Sequence, residues 1–235
     1  SPPTERAFLM GLGLPVTAFA VAQIAGLPLA LPLHHRERAE WALGVIGGLP
    51  QGGKNFGPAQ NPHAIISQAA MFDYYDGGGI NISCVGIAQV DGEGNVNVSK
   101  LGSHVIGSGG FINITQSSPK VMFCGEFTAA GTDVVVEDGK IVIRSEGKAV
   151  KFVKEVGQIT FSGKVAREEG HKVLYITERC VFQLTPEGVV LTEIAPGVDL
   201  EQDILARMEF RPLISPELKE MDPRLFADAP MSSSV

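Results

Sequence analysis

The sequence predicts one α/β domain in which a mixed sheet is flanked by helices. Of its 235 residues, 44% are apolar and 19% charged, enough apolar content for a real core at this length. Short strand-like runs follow one another from Ile80 to Glu193, and helix-like stretches stand before and after them. The 28 glycines and 15 prolines are spread along the chain, which excludes disordered, collagen-like and low-complexity classes. No repeat or linker divides the sequence, so residues 1–235 read as a single domain whose tail, 227–235, is expected to fray.

The elements follow in chain order. Ala7 to Leu33 has no charged residue, with Arg6 before it and His34-His35-Arg36-Glu37-Arg38 after it. That run is long enough to cross a bilayer, so a membrane or signal segment is one reading. Pro15, Pro28, Pro32, Thr17, Gln23 and the turn-like Gly11-Leu12-Gly13-Leu14-Pro15 favour the other, a buried strand or turn followed by a short apolar helix. Gly44 to Gly57 is a glycine-rich loop.

Asn61 to Tyr75 predicts a helix, because Pro62 suits a first helical position and Ile65, Ile66, Ala69, Ala70 and Phe72 recur at helical spacing. Asp76-Gly77-Gly78-Gly79 stops it. Ile80 to Val90, the turn Asp91-Gly92-Glu93-Gly94 and the alternating Asn95 to Lys100 predict a hairpin. Further strands are expected at Phe111–Thr115, Lys120–Phe127, Asp133–Glu137 and Lys140–Arg144, the last two joined by Asp138-Gly139, a strong hairpin signal. Ile159–Phe161, Val173–Thr177, Val181–Leu184 and Val189–Glu193 continue the series. A helix over Asp199–Met208, with Asp199 as its N-cap, closes it.

Composition narrows the function. Nineteen Lys+Arg against 26 Asp+Glu give a net charge of −7. No basic cluster exists beyond Arg36 and Arg38, so the electrostatic footprint of a nucleic-acid binder is missing. Cys84, Cys124 and Cys180 are odd in number and widely spaced, which fits reduced, mostly buried thiols in a cytoplasm-like compartment rather than a disulfide framework or zinc site. His34, His35, His63, His104 and His171 lack metal-ligand spacing. Asp91 to Asn97 spaces oxygen side chains as a calcium loop does, but Val96 occupies the sixth position, where glycine is required. The sequons at Asn81, Asn97 and Asn113 lie in predicted strands and read as chance.

The glycine loops gain meaning from their order. GLGLP at 11–15, GVIGGLPQGGKNFG at 44–57, FDYYDGGGINIS at 72–83, GIAQVDGEGNVNVSKLG at 86–102, GSGGFINITQ at 107–116 and the segment 193–226 together resemble the family I CoA-transferases. The resemblance is to the C-terminal, β-type half of the acetate/propionate CoA-transferase branch, and it runs from about Gly11 to Phe226. It implies the α/β CoA-transferase fold, paired with a homologous α-type half that this sequence does not contain, in an oligomer. It also implies a cytoplasmic enzyme, or one of the mitochondrial matrix in a eukaryote.

Enzymes of that family move CoA from an acyl-CoA to a short-chain carboxylic acid through one glutamate. Its carboxylate displaces CoA thiolate to form an acyl-glutamyl anhydride; the thiolate returns to give a glutamyl-CoA thioester, and the acceptor acid reverses the sequence. CoA and acyl-CoA are substrates, and neither a metal nor a prosthetic group is needed. By the resemblance, Gly109 and Gly110 match the loop that approaches CoA and the thioester oxygen, and Gly11, Gly13 and Pro15 match a motif associated with the oxyanion hole.

The nucleophile belongs to a Glu-x-Gly motif just ahead of the GVIGG-like segment. Here Ala42 fills that position, followed by Leu43 and Gly44, and a methyl group cannot attack a thioester. Glu40 lies two residues upstream, about 6–7 Å away along a strand, too far to substitute. Glu126 is a further carboxylate at the end of an apolar strand, read as a solvated strand end.

Overall fold

A computed structural model describes residues 60–227 and, before them, only the backbone of the short strands Glu40–Trp41, Val45–Ile46, Leu49–Pro50 and Ala59–Gln60. The apolar run Ala7–Leu33 and the segment 228–235 lie outside the described residues. Among the described residues, no helix is long and apolar enough to cross a membrane.

Six strands make the main sheet: β1 (Ser83–Gly86), β2 (Lys120–Cys124), β3 (Lys172–Ile176), β4 (Cys180–Thr185), β5 (Gly188–Ile194) and β6 (Leu213–Glu220). Their order across the sheet is their order along the chain. The pairs β1/β2, β2/β3 and β5/β6 are parallel, whereas β3/β4 and β4/β5 are antiparallel. Among the described residues three α-helices accompany them: α1 (Gln68–Asp76), α2 (Phe111–Gln116) and α3 (Gly163–Glu168). This is the mixed α/β architecture expected from the sequence.

Period-2 alternation divides the core. Paired residues Val85, Phe123, Tyr175, Phe182, Leu191 and Ile214 form one row across all six strands. On that face Phe123 is sandwiched between Phe111 (ring centroids 5.8 Å apart) and Tyr175 (5.5 Å), with Phe161 edge-on at 4.9 Å. Such pairs contribute about 0.5–1.5 kcal/mol each beyond area burial. The other face buries Met122, Cys124, Ile176 and Val181 beneath Ile141, Met221 and Phe226.

The 133–145 hairpin forms as expected; of the hairpin expected over Ile80–Lys100 only Gln89–Val90 and Val96–Asn97 pair with each other, because Ser83–Gly86 is taken into the main sheet. Asp138 and Gly139 both have positive φ, 50° and 74°, the turn whose twist matches that of its strands. At the Asp91 turn, the carboxylate accepts the Glu93 and Asn95 amides at 3.1 and 3.0 Å. Gly94 there has φ 79° and stands so close to Leu184 and Tyr175 that a Cβ would clash.

Four expectations need correction. Phe111–Thr115 is the helix α2: its β-like composition is overridden by tertiary packing, since Phe111 inserts on Phe123 while Thr115 and Ser118 hydroxyls donate to the carbonyls of Phe111 and Ile114. In Ile159–Phe161 only Phe161 makes a bridge, to Val96. The helix expected over 61–75 begins at Gln68 behind a Ser67 N-cap, and it buries Met71 and Tyr75 while Ala69 and Ala70 face solvent. Asp199 does cap its segment, accepting the Gln202 amide at 2.8 Å, but one wide π-turn, Leu200–Ile204, and a 3-10 turn, Leu205–Arg207, replace the α-helix.

The sequence reading missed α3 and β6. Ser162 caps α3 at the Val165 amide, and Gly170 (φ 71°) ends it, a Ser-to-Gly punctuation that was visible in the sequence. Gly163 is required because a Cβ there would stand 2.2 Å from the Glu93 carbonyl.

Candidate functional site

Topology collects the loops of interest at one edge of the sheet. The first residue of α2, Phe111, packs on Phe123 near the C-terminal end of β2. The loop Gly107-Ser108-Gly109-Gly110 therefore emerges at the C-terminal edge of the parallel strands, where open α/β sheets bind ligands. Gly86-Ile87 and Gly125-Glu126, which end β1 and β2, lie at that edge too.

The glycine loop is anchored at its root and open at its tip. The carbonyl of Ser99 accepts the amides of both Ile106 and Gly107, at 2.8 and 3.0 Å. Ser99 is in turn fixed by the Thr160 hydroxyl at 2.8 Å. Gly107 and Gly109 have φ 89° and 52°, and nothing lies within 4 Å of where a Cβ would stand on either. The amides of Gly109 and Gly110 donate to no acceptor among the described residues. Adjacent unpaired amides in a left-handed turn are suited to an anion or a developing oxyanion.

Helix α1 braces this loop from behind. A Cβ on Gly110 would approach Phe72 Cζ to 3.1 Å. The Asn113 side-chain amide donates to both oxygens of Asp76, at 2.9 and 3.1 Å. Around the loop, apolar side chains stand in solvent: Val105 is 76% exposed, Ile106 66% and Ile112 45%.

Behind the same edge lies a polar cluster that sequence reasoning missed. The guanidinium of Arg179 is completely buried and stacks on Phe127 at 5.1 Å. It donates to Glu178 (3.0 Å), to both oxygens of Glu146 (2.8 Å each) and to the Asp203 carbonyl (3.0 Å). The second Glu178 oxygen accepts the Phe127 amide at 2.8 Å. Hydrogen bonds from Arg179 hold the Glu146 carboxyl below its ordinary value. Burial pushes Glu178 up despite the same partner. A cavity of about 210 Å³ borders the cluster, lined in part by Thr128, Glu146, Gly147 and Arg207. No signal short of three dimensions marked Glu146, which is remote from Arg179 in sequence.

The remaining sequence candidates are partly placed. Gly11, Gly13, Pro15 and Ala42 lie outside the described residues. Glu40 belongs to a short strand pairing antiparallel with Val45–Ile46, Glu40 facing Ile46. Glu126 is exposed, in line with its reading as a solvated strand end. Asn97 is fully buried, donating to Gln89 Oε1 and the Lys100 carbonyl, and Asn113 serves the brace just described. Cys124 and Cys180 are buried and their thiols pushed up by desolvation, whereas Cys84 is exposed. Among the described residues no group of three or more His, Cys, Asp or Glu side chains is placed to hold a metal.

A scan against family models matched none. Individual proteins do match. Acetate CoA-transferase YdiF of Escherichia coli (strain K12) is 50% identical over 188 residues, which are 80% of this chain and 35% of that protein. This chain belongs to the CoA-transferase family. Caffeate CoA-transferase of Acetobacterium woodii is 46% identical over 224 residues, 93% of this chain and 41% of that protein. The crystal structure of the acyl-CoA transferase YdiF from E. coli O157:H7, in a thioester complex with CoA, superposes with a TM-score of 0.74 at 48% identity, covering 80% of this chain and 35% of that one. The chain thus spans little more than a third of the length of these CoA-transferases.

Proposed function

We propose that this chain is the β-type, C-terminal half of a short-chain acyl-CoA:carboxylate CoA-transferase, acting with an α-type half in a larger assembly. The observation that carries this reading is the open, braced glycine loop in a chain 50% identical to acetate CoA-transferase YdiF. The amides of Gly109 and Gly110, without acceptors among the described residues, would receive the oxyanion formed when a thioester carbonyl is attacked. Gly11, Gly13 and Pro15 would complete the oxyanion hole. A thioester complex with CoA in the related YdiF accords with covalent transfer. CoA and the acyl group enter as substrates, and no metal takes part.

The nucleophile position is Ala42, so the chain as it stands makes no glutamyl-CoA thioester. The test is Ala42→Glu, assembled with the α-type half and incubated with acetyl-CoA. The variant is expected to gain CoA transfer and a covalent CoA adduct on residue 42, reducible by borohydride. The parent should show neither. Rapid turnover by the parent without any adduct would overturn the glutamyl mechanism.

The alanine also favours a second reading, a non-catalytic CoA-binding or regulatory subunit. Calorimetry with CoA before and after the substitution separates the two. Binding in both proteins with transfer in neither supports the regulatory role.

A further inference from the structure

Lys151 sits at the same edge of the sheet in an unusual setting. It runs beside the first strand of the 89–97 hairpin, its carbonyl accepting the Val90 amide at 2.8 Å. Its side chain turns over Gly125, the residue that follows β2. A Cβ on Gly125 would stand 3.3 Å from Lys151 Nζ and 3.1 Å from Ile87 Cγ1. The glycine is what makes room for the amine, and Ile87 lines the same space with hydrocarbon. Nζ makes no hydrogen bond and no ion pair among the described residues. The charged groups facing it are Glu126, from the end of β2, and Glu178, from the turn between β3 and β4; neither is in contact. Desolvation lowers the ammonium's pKa, and those two carboxylates offset only part of the effect.

A half-buried amine without a partner among the described residues is more often neutral than its exposed neighbours, and a neutral amine attacks thioesters. We propose that Lys151 is an acyl-acceptor site, N-acylated by acyl-CoA thioesters. The choice of donor rests on the function proposed above; the setting of the amine does not. In the step, the neutral nitrogen attacks the thioester carbonyl, the C–N bond forms and the C–S bond breaks. CoA leaves as thiolate and the surplus proton on nitrogen passes to water. The product is a neutral amide, which removes the positive charge facing Glu126 and Glu178.

The test compares lysines within one chain. The protein is incubated with acetyl-CoA, and acetylation at Lys151 and at the exposed Lys148 and Lys154 is followed by peptide mass spectrometry. A parallel arm uses the N-hydroxysuccinimide ester of acetic acid, which carries no CoA. Lys151 is expected to react severalfold faster than its two neighbours in both arms, to lose that lead in urea, and to be silent as Lys151→Arg. A rate at Lys151 no higher than at Lys154 with acetyl-CoA overturns the proposal. Calorimetry with CoA tells which idea has failed. If CoA binds but Lys151 lags, the acceptor site is wrong and the CoA-transferase reading stands. If CoA does not bind yet Lys151 leads with the small ester alone, the amine is reactive as described but the acyl-CoA donor is wrong, and the proposed function loses its support.

Discussion

Two polar constructions in this domain are built on opposite terms. Around Arg179 each of the four hydrogen bonds is made within the protein, and the guanidinium sees no solvent. At the glycine loop two amides have no acceptor among the described residues, and the apolar side chains beside them are exposed. Among the described residues the first is complete, whereas the second is left open. The difference separates residues that hold the scaffold from residues proposed above to meet a ligand or a partner, although both groups lie near one edge of the same sheet.

The sharpest way to break the contrast is to remove the closed cluster. Arg179→Met should cost about 3–5 kcal/mol, because it leaves Glu146 and Glu178 without their shared cation; urea unfolding measures it. Acid should act on the same cluster more gradually. Glu146 is held below its ordinary value, so its contribution is full above the unfolded-state value and is lost as pH falls through the lowered folded value. That part of the acid slope should be absent from the Arg179→Met variant.

A smaller effect is expected where α1 braces the loop. Asn113→Asp sets two carboxylates against each other and should cost about 1 kcal/mol in thermal unfolding; on the proposed function it also weakens binding of CoA. Adding Asp76→Asn restores the pair with donor and acceptor exchanged, and should recover both losses. If binding falls without recovery in the double variant, the brace does not position the loop. The smallest effect belongs to Val105→Ser. At 76% exposure its loss should change stability by less than about 0.5 kcal/mol, while weakening association with the proposed α-type half in sedimentation or native mass measurements.

How much of this could be read from the sequence follows the range of the interactions. The alternating strands from Lys120 to Ile194 were legible because each carries its own period and turn chemistry, Asp138-Gly139 above all. Helix α2 was not, since the decision is taken by Phe123, twelve residues further on, which draws Phe111 onto the sheet. Gly109 and Gly110 were singled out through the order of glycine motifs, and the geometry adds that their amides have no acceptor among the described residues. Glu146 and Arg179 could not be paired in advance, because 33 residues separate them and nothing local requires either. Lys151 was overlooked for the same reason: its setting is created by Gly125, just past the end of a strand remote in sequence.

The agreement between chain order and spatial order in the sheet bears on how the protein is made. Each strand after the first docks on the one synthesised just before it, so nothing emerging later must insert between strands already paired. The antiparallel meander β3–β4–β5 closes through short turns and needs little loop entropy, whereas β1/β2 and β2/β3 must each wait for a long crossover to fold. A nascent chain would thus gather its sheet around residues 172–194. The β1/β2 side, on which α2 packs, would join that meander once its crossovers have folded.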